Sequence, residues 1–227
     1  MHDVAIAFDV PPYRLSGTVY GALLNHGSAL QALGGAVDQP PYKRAPQAPV
    51  LYIKPRNTLN GDGAAVVMPA DCEELEVGAC LGVVVGRSAC RVSVSEAMDY
   101  IAGFLIVNDI SIPHTNFYRP NVRLKARDGF CPLGPRVTPR AAVSNPDALG
   151  IRIYIDNSLQ ASANTSGLIR SVAQLLADVP EFMTLRGGDV LAMGVAVPAP
   201  RVRAGARVRI EIDGLGSLSN LFQAGAR

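Results

Sequence analysis

The run Glu96-Ala-Met-Asp-Tyr-Ile-Ala-Gly-Phe-Leu-Ile-Val-Asn-Asp-Ile-Ser111 decides the fold. Its middle, from Ala102 to Val107, is an unbroken apolar stretch of strand length that ends at Asn108 and Asp109. Such a run, too short for a buried helix and flanked by turn residues, predicts a strand. Upstream, Cys80-Leu-Gly-Val-Val-Val-Gly86 has the same character, and Val83, Val84 and Val85 give it strong β propensity. Between the two lies Ser93-Val-Ser-Glu96, a capping-box pattern with Ser93 as N-cap, which predicts a helix from about Val94 to Tyr100.

Working outward, 22 glycines and 17 prolines are spread evenly along the 227 residues, punctuation that favours many short strands over a helical bundle. Gly17-Thr-Val-Tyr-Gly-Ala-Leu-Leu-Asn25 and Val50-Leu-Tyr-Ile-Lys54 read as strands. The Pro-rich stretch Gln39 to Pro49 reads as an extended loop, and Asn57 to Gly63 as a turn. Ile151 to Ile155 alternates and meets the turn residues Asp156-Asn157-Ser158, which predicts a hairpin. Leu168, Ile169, Val172, Leu175, Leu176 and Val179 recur at helical spacing, with Asn164, Thr165 or Ser166 available as cap and Pro180 as stop. Gly187 to Gly194 and Ala206 to Leu218 close the chain as strands. Residues Ser111 to Pro135 read as a long irregular loop, of a kind that usually serves a site or an interface. The sum is roughly nine strands and two or three helices, a β-dominated α+β class in one domain.

Composition excludes several functions. A net charge of +2 gives no electrostatic footprint for nucleic acid or an anionic membrane. Aromatic residues make up 6% of the chain and Trp is absent, so no base-stacking platform is expected. No apolar stretch reaches membrane-spanning length, and the opening residues lack the charged and apolar regions of a signal peptide; a cytoplasmic protein is expected. Cys72, Cys80, Cys90 and Cys131 form no CxxC pair and read as free thiols. No phosphate-cradling glycine motif sits at a strand-to-helix junction.

Several stretches together resemble the fumarylacetoacetate hydrolase family: Tyr52 to Gly61, Glu96 to Ser111, Phe117 to Pro135, Asn164 to Gly194, and Ile210 to Asn220. Within that family the phrases Gln39-Pro-Pro-Tyr-Lys43, Tyr52-Ile-Lys-Pro-Arg-Asn-Thr58 and Phe117 to Pro132 are similar to the first of the two repeats that build the isomerase/decarboxylases of homoprotocatechuate (4-hydroxyphenylacetate) degradation. The resemblance implies a mixed β-roll over residues 15–222, with an N-terminal extension at 1–14 and a tail at 223–227. It also implies chemistry on small dicarboxylic oxo acids through a divalent metal, usually Mg²⁺, that stabilises an enolate. The partner it implies is a homologous second-repeat subunit or a second copy of the chain.

The family's site residues map unevenly onto this chain. Two Glu in an E-x-E arrangement and a later Asp hold the metal, and these positions fall on Gly78, Cys80 and Asp109. Only Asp109 is a carboxylate, so Mg²⁺ binding is not expected. Glu76, beside Glu73 and Glu74, is the nearest substitute. The family's His–Glu base pair falls on Ala29 and Ala32, with His26 nearby, and a substrate-holding Thr falls on Val195. His114 stands where relatives carry an acid, and His2 lies in the extension. Lys125 and Asp128 match family positions near the substrate, Thr165 matches a family Thr before the long helix, and Arg119 and Arg123 in the same loop as Lys125 are expected to serve either the substrate or an interface. Lys125 is expected either to meet a substrate carboxylate or to neutralise Asp109, and Thr165 either to meet substrate or to cap a helix. Metal ligands, base pair and carboxylate contact are thus missing together, while turn and packing residues such as Gly86, Gly103, Gly129, Pro132 and Gly188 remain. Three readings follow: a partner-dependent subunit, an enzyme with an altered site on Asp109, Lys125 and Glu76, or an oxo-acid binding protein without turnover.

Overall fold

The computed structural model describes residues 7–8, 17–115, 117–118 and 121–225. Two mixed sheets carry the chain. The larger has eight strands, in the order Ala7–Phe8, Cys131–Pro139, Ile101–Asn108, Ala79–Val85, Val190–Ala192, Val19–Leu23 and Val50–Lys54, with Leu59–Asn60 pairing beside Cys131–Pro139. The smaller has five: Ser158–Asn164, Gly150–Ile155, Arg207–Ile212, Gly216–Ala224 and Ala65–Met68. A short ribbon pairs Leu75–Glu76 with Arg201–Val202.

The Ala79–Val85 strand is buried at all seven positions, which explains its unbroken apolar sequence. Leu81, Val83 and Val85 enter the main core with Phe104, Ile106, Leu175 and Phe222; Cys80 and Val84 enter a second cluster with Leu105, Val107, Cys131 and Val190. In the smaller sheet Arg207–Ile212 alternates instead: Val208, Ile210 and Ile212 are buried, and Arg207 is exposed. The expected hairpin is present, closed by Asp156 and Asn157 at φ 49° and 67°, the pair of positive φ values that a two-residue hairpin turn requires.

The β-dominated class and mixed β-roll are as expected, but several elements differ in detail. There are fifteen strand segments among the described residues, because four of them are only two residues long and leave no periodic signal. The capping-box helix is a single 3₁₀ turn, Ala97–Tyr100. Ser93 Oγ donates to the Glu96 carboxylate at 2.5 Å, and the buried strand that starts at Ile101 leaves no room for a second turn. The second helix runs only from Val172 to Asp178, with Ser171 as cap through Gln174 N (3.2 Å). Leu168 precedes it in a bridge to His26, and Asn164 caps a separate 3₁₀ turn, Thr165–Gly167. The long irregular segment holds a helical turn, Val122–Lys125, and the first residues of the Cys131–Pro139 strand. At the ends, Ala7–Phe8 runs parallel to Arg136 and Val137, and the last strand reaches Ala224, inside the segment expected to be tail.

Gly103 shows how tightly the central strands approach. A Cβ there would overlap the Thr138 carbonyl oxygen on the neighbouring strand, a backbone atom that cannot swing aside. Gly103→Ala is therefore expected to destabilise the fold by about 1–3 kcal/mol, measured by urea denaturation.

Candidate functional site

The strand alternation of Val50–Lys54 places Tyr52 and Lys54 on one face, and both point toward the end of the Ile101–Asn108 strand. There Asp109 begins the chain's departure from the sheet and is 3% exposed. Lys125, from the Val122–Lys125 turn, donates to Asp109 Oδ2 at 2.7 Å, and the Tyr52 hydroxyl donates to the same oxygen. Lys54 Nζ stands 2.7 Å from Asp109 Oδ1. The same ammonium donates to the carbonyl oxygens of Ile110 (2.8 Å), Lys125 (2.8 Å) and Phe130 (2.9 Å). Oδ1 thus shares the Lys54 ammonium with three backbone acceptors. The three carbonyls tie the segment 110–130 to the edge of the large sheet.

Burial by itself would raise the Asp109 pKa, but Lys125 and then Lys54 outweigh it and hold the carboxyl well below its ordinary range. The Lys54 ammonium is lowered, first by burial, with Asp109 opposing. The Tyr52 phenol is pushed up by burial and by Asp109. Cys80, buried beneath Asp109, is pushed up by the same two causes, and burial pushes Cys131 up to about 12. Both thiols therefore stay protonated, a poor state for a metal ligand.

Above the cluster lies a recess of about 60 Å³, enough for a few water molecules. Ala29, Gly78, Asp109, Lys125 and Val195 all line it, with Tyr52, Glu76, Ser111, His114 and Phe117. Residues far apart in sequence are thus brought together at one recess. Other expected site residues are not among its lining. Ala32 is exposed at the end of the Gly27–Gln31 turn, and Cys80 lies in the apolar cluster below. Asp128 is exposed and accepts from Asn57 Nδ2 at 2.7 Å. Thr165 is buried, donating to Pro146 O and accepting from Leu149 N, both at 2.8 Å, so its hydroxyl fastens a corner of the fold. Arg123 is exposed, 3.9 Å from Asp71. Arg119 and His2 lie outside the described residues.

His26 caps the Gly27–Gln31 turn: its Nδ1 accepts from Ser28 N and lies 2.8 Å from Ser28 Oγ. Ser28 Oγ in turn accepts from Val197 N at 2.9 Å, so His26 fastens the wall of the recess without lining it. Asn25 does similar work, donating to Met193 O at 2.8 Å. The two residues missed by sequence reasoning are Tyr52 and Lys54. Their period-two spacing, ending in an apolar strand with a lone lysine, was the available signal.

Among the described residues no three His, Cys, Asp or Glu gather as a metal-ligand set. Glu76, the nearest second carboxylate, is 3.5 Å from Ser111 Oγ and 3.9 Å from Arg201. A Cβ at Gly78 would overlap the Asp109 carbonyl oxygen.

Asp109→Asn would leave two buried ammonium groups without a counter-charge. It is expected to destabilise the protein by about 3–5 kcal/mol, read by denaturant unfolding. Because the carboxyl pKa is depressed on folding, its contribution is complete above about pH 4 and drains away as pH falls below that value. The variant should therefore show a shallower acid loss of stability than the parent.

The chain matches the family model for the fumarylacetoacetate hydrolase C-terminal domain over residues 18–223. It is 40% identical over 206 residues to the 4-hydroxyphenylacetate degradation bifunctional isomerase/decarboxylase of Escherichia coli, which covers 91% of this chain and 47% of that protein. It thus spans about half the length of the curated relatives it matches. The structure superposes on 5-carboxymethyl-2-hydroxymuconate delta-isomerase from Mycobacterium smegmatis with a TM-score of 0.80 and 26% identity, covering 95% of this chain and 82% of that one. It superposes on maleylpyruvate hydrolase from Sphingobium sp. SYK-6, solved with manganese(II) and pyruvate, with a TM-score of 0.77 and 25% identity over 95% and 73% of the two chains. With the family model spanning nearly all of the chain, and the same fold in its solved members, this protein belongs to the fumarylacetoacetate hydrolase family.

Proposed function

We propose that this chain is the first-repeat subunit of a two-part isomerase/decarboxylase of 4-hydroxyphenylacetate breakdown. The reactions are 5-oxopent-3-ene-1,2,5-tricarboxylate decarboxylation and 2-hydroxyhepta-2,4-diene-1,7-dioate isomerisation. In this reading the chain supplies assembly and a pocket, and a homologous second-repeat partner supplies the metal centre and the turnover of the dicarboxylic oxo acid. The 40% identity to the bifunctional isomerase/decarboxylases supports the assignment to this pair of reactions.

One observation carries the division of labour. The carboxylate that would ligate a divalent cation is already neutralised by Lys54 and Lys125, each at 2.7 Å. A cation would have to displace a buried ammonium, and among the described residues no three His, Cys, Asp or Glu gather around Asp109 to share the load. The residues do not fit Mg²⁺, and no catalytic step of this chain runs through one. The same ion pairs weigh against the chain as an independent enzyme that uses Asp109 as base or ligand. Lys125, Tyr52 and Lys54 act here to orient and hold Asp109, and Ala29 leaves no proton acceptor at the family's His position.

Calorimetric titration of the isolated chain with Mg²⁺ and Mn²⁺ should give no binding heat up to millimolar metal. Decarboxylase and isomerase activity should appear only when the homologous partner is added. Metal-dependent turnover by the chain alone would refute the proposal. Replacing both Gly78 and Cys80 with Glu should not restore metal binding, because the side chain at 78 meets backbone; the expected result is a lowered unfolding midpoint.

A further inference from the structure

The histidine beside the recess is held in one protonation state by its neighbours. His26 Nδ1 accepts a hydrogen bond from Ser28 N at 3.3 Å, so that nitrogen carries no proton. The Ser28 hydroxyl, 2.8 Å from the same nitrogen, is then its second donor. The ring proton sits on Nε2, 3.4 Å from the Asn164 carbonyl oxygen, an atom that can only accept. Ser28 Oγ in turn accepts from Val197 N at 2.9 Å, and Val197 and Ala29 line the recess. The imidazole lone pair thus secures the start of the Gly27–Gln31 turn and, through Ser28, the wall at Val197.

The ring has little freedom to escape a change at Nδ1. The backbone of His26 bridges Leu168, and Asn25 O accepts from Ile169 N at 2.8 Å. A Cβ on Gly167 would stand 2.6 Å from Nε2, so the ring lies against the bare backbone of that residue. The groups facing it are uncharged: Ser28 on its own turn, and Asn164, Gly167 and Leu168 opposite. Arg170, beyond the bridge, is occupied by Asp178 at 2.9 Å and by the Gln47 carbonyl oxygen at 2.6 Å. None of these contacts offers a counter-charge to an imidazolium.

We propose that His26 is an acid-sensitive fastener of the recess wall: uptake of a proton at Nδ1 uncaps the Gly27–Gln31 turn and loosens Ala29 and Val197. A protonated imidazole has only donors, so Ser28 N–H loses its acceptor and faces another N–H instead. The Ser28 hydroxyl must turn from donor to acceptor, which occupies a lone pair beside the one that holds Val197 N–H. The inference goes beyond the reading of the chain as a partner-dependent subunit, since it invokes neither a ligand nor turnover.

The test is amide hydrogen exchange of the full chain at about pH 8 and about pH 5, the span over which an imidazole takes up its proton, with each rate corrected for intrinsic exchange at that pH. Protection at Ser28 should fall about tenfold at the lower pH, the worth of one or two neutral hydrogen bonds, and at Val197 by a smaller factor. The buried strand Ala79–Val85 should keep its protection. His26→Asn retains a side-chain carbonyl for the cap but cannot take up the proton, so Ser28 and Val197 should be equally protected at both pH values in that variant. Ring-nitrogen NMR of the parent at the higher pH should place the proton on Nε2, a measurement that needs no variant to fold. Unchanged protection at Ser28, an equal fall in the His26→Asn variant, an equal fall along Ala79–Val85, or a neutral ring protonated at Nδ1 would each overturn the proposal.

Discussion

The ion cluster of Lys54, Asp109 and Lys125 is the interaction on which the site and much of the fold's seam depend. It joins the edge strand Val50–Lys54, the end of the central strand and the Val122–Lys125 turn through one carboxylate. Burying three charges is costly unless each is matched, and the matching is done by the backbone as much as by side chains. The carbonyls of Ile110, Lys125 and Phe130 converge on one lysine. Removing Asp109 leaves two ammonium groups without a counter-charge in a dry place, and the carbonyls that meet Lys54 specify the path of the segment from 110 to 130.

The same cluster limits what Asp109 can do. A carboxylate held this firmly by cations is neither a free base nor a free ligand. The positions around it are small or apolar: Ala29, Gly78 and Val195 at the recess, and Cys80 among valines and leucines below. Tyr52 fills the remaining space, its ring lying where a side chain on Gly21 would otherwise project.

Much of this was legible in the sequence, and the reasons differ by element. The buried strands could be read because full burial demands unbroken apolar runs, as in Ala79–Val85. The hairpin could be read because positive φ selects Asp156 and Asn157. The short helices could not be bounded, because capping residues occur at Ser93 and Asn164 and the side chains there serve single turns. The family pattern pointed to Asp109, Gly78, Ala29 and Val195, which do share one recess. It said nothing of Lys54, whose role depends on three carbonyls that no side-chain pattern encodes. Nor did it distinguish Thr165 and Asp128, matched in sequence, from residues that line the recess.

The absence of a Cβ at Gly21 and Gly78 sets how closely their neighbours approach. A Cβ at 21 would overlap the Tyr52 ring, and one at 78 would overlap the Asp109 carbonyl oxygen. The first neighbour is a side chain and the second is backbone, so the two positions differ in tolerance: a larger residue at 78 requires the main chain at 109 to move. Two residues without side chains thereby fix the distances between separate segments of the chain.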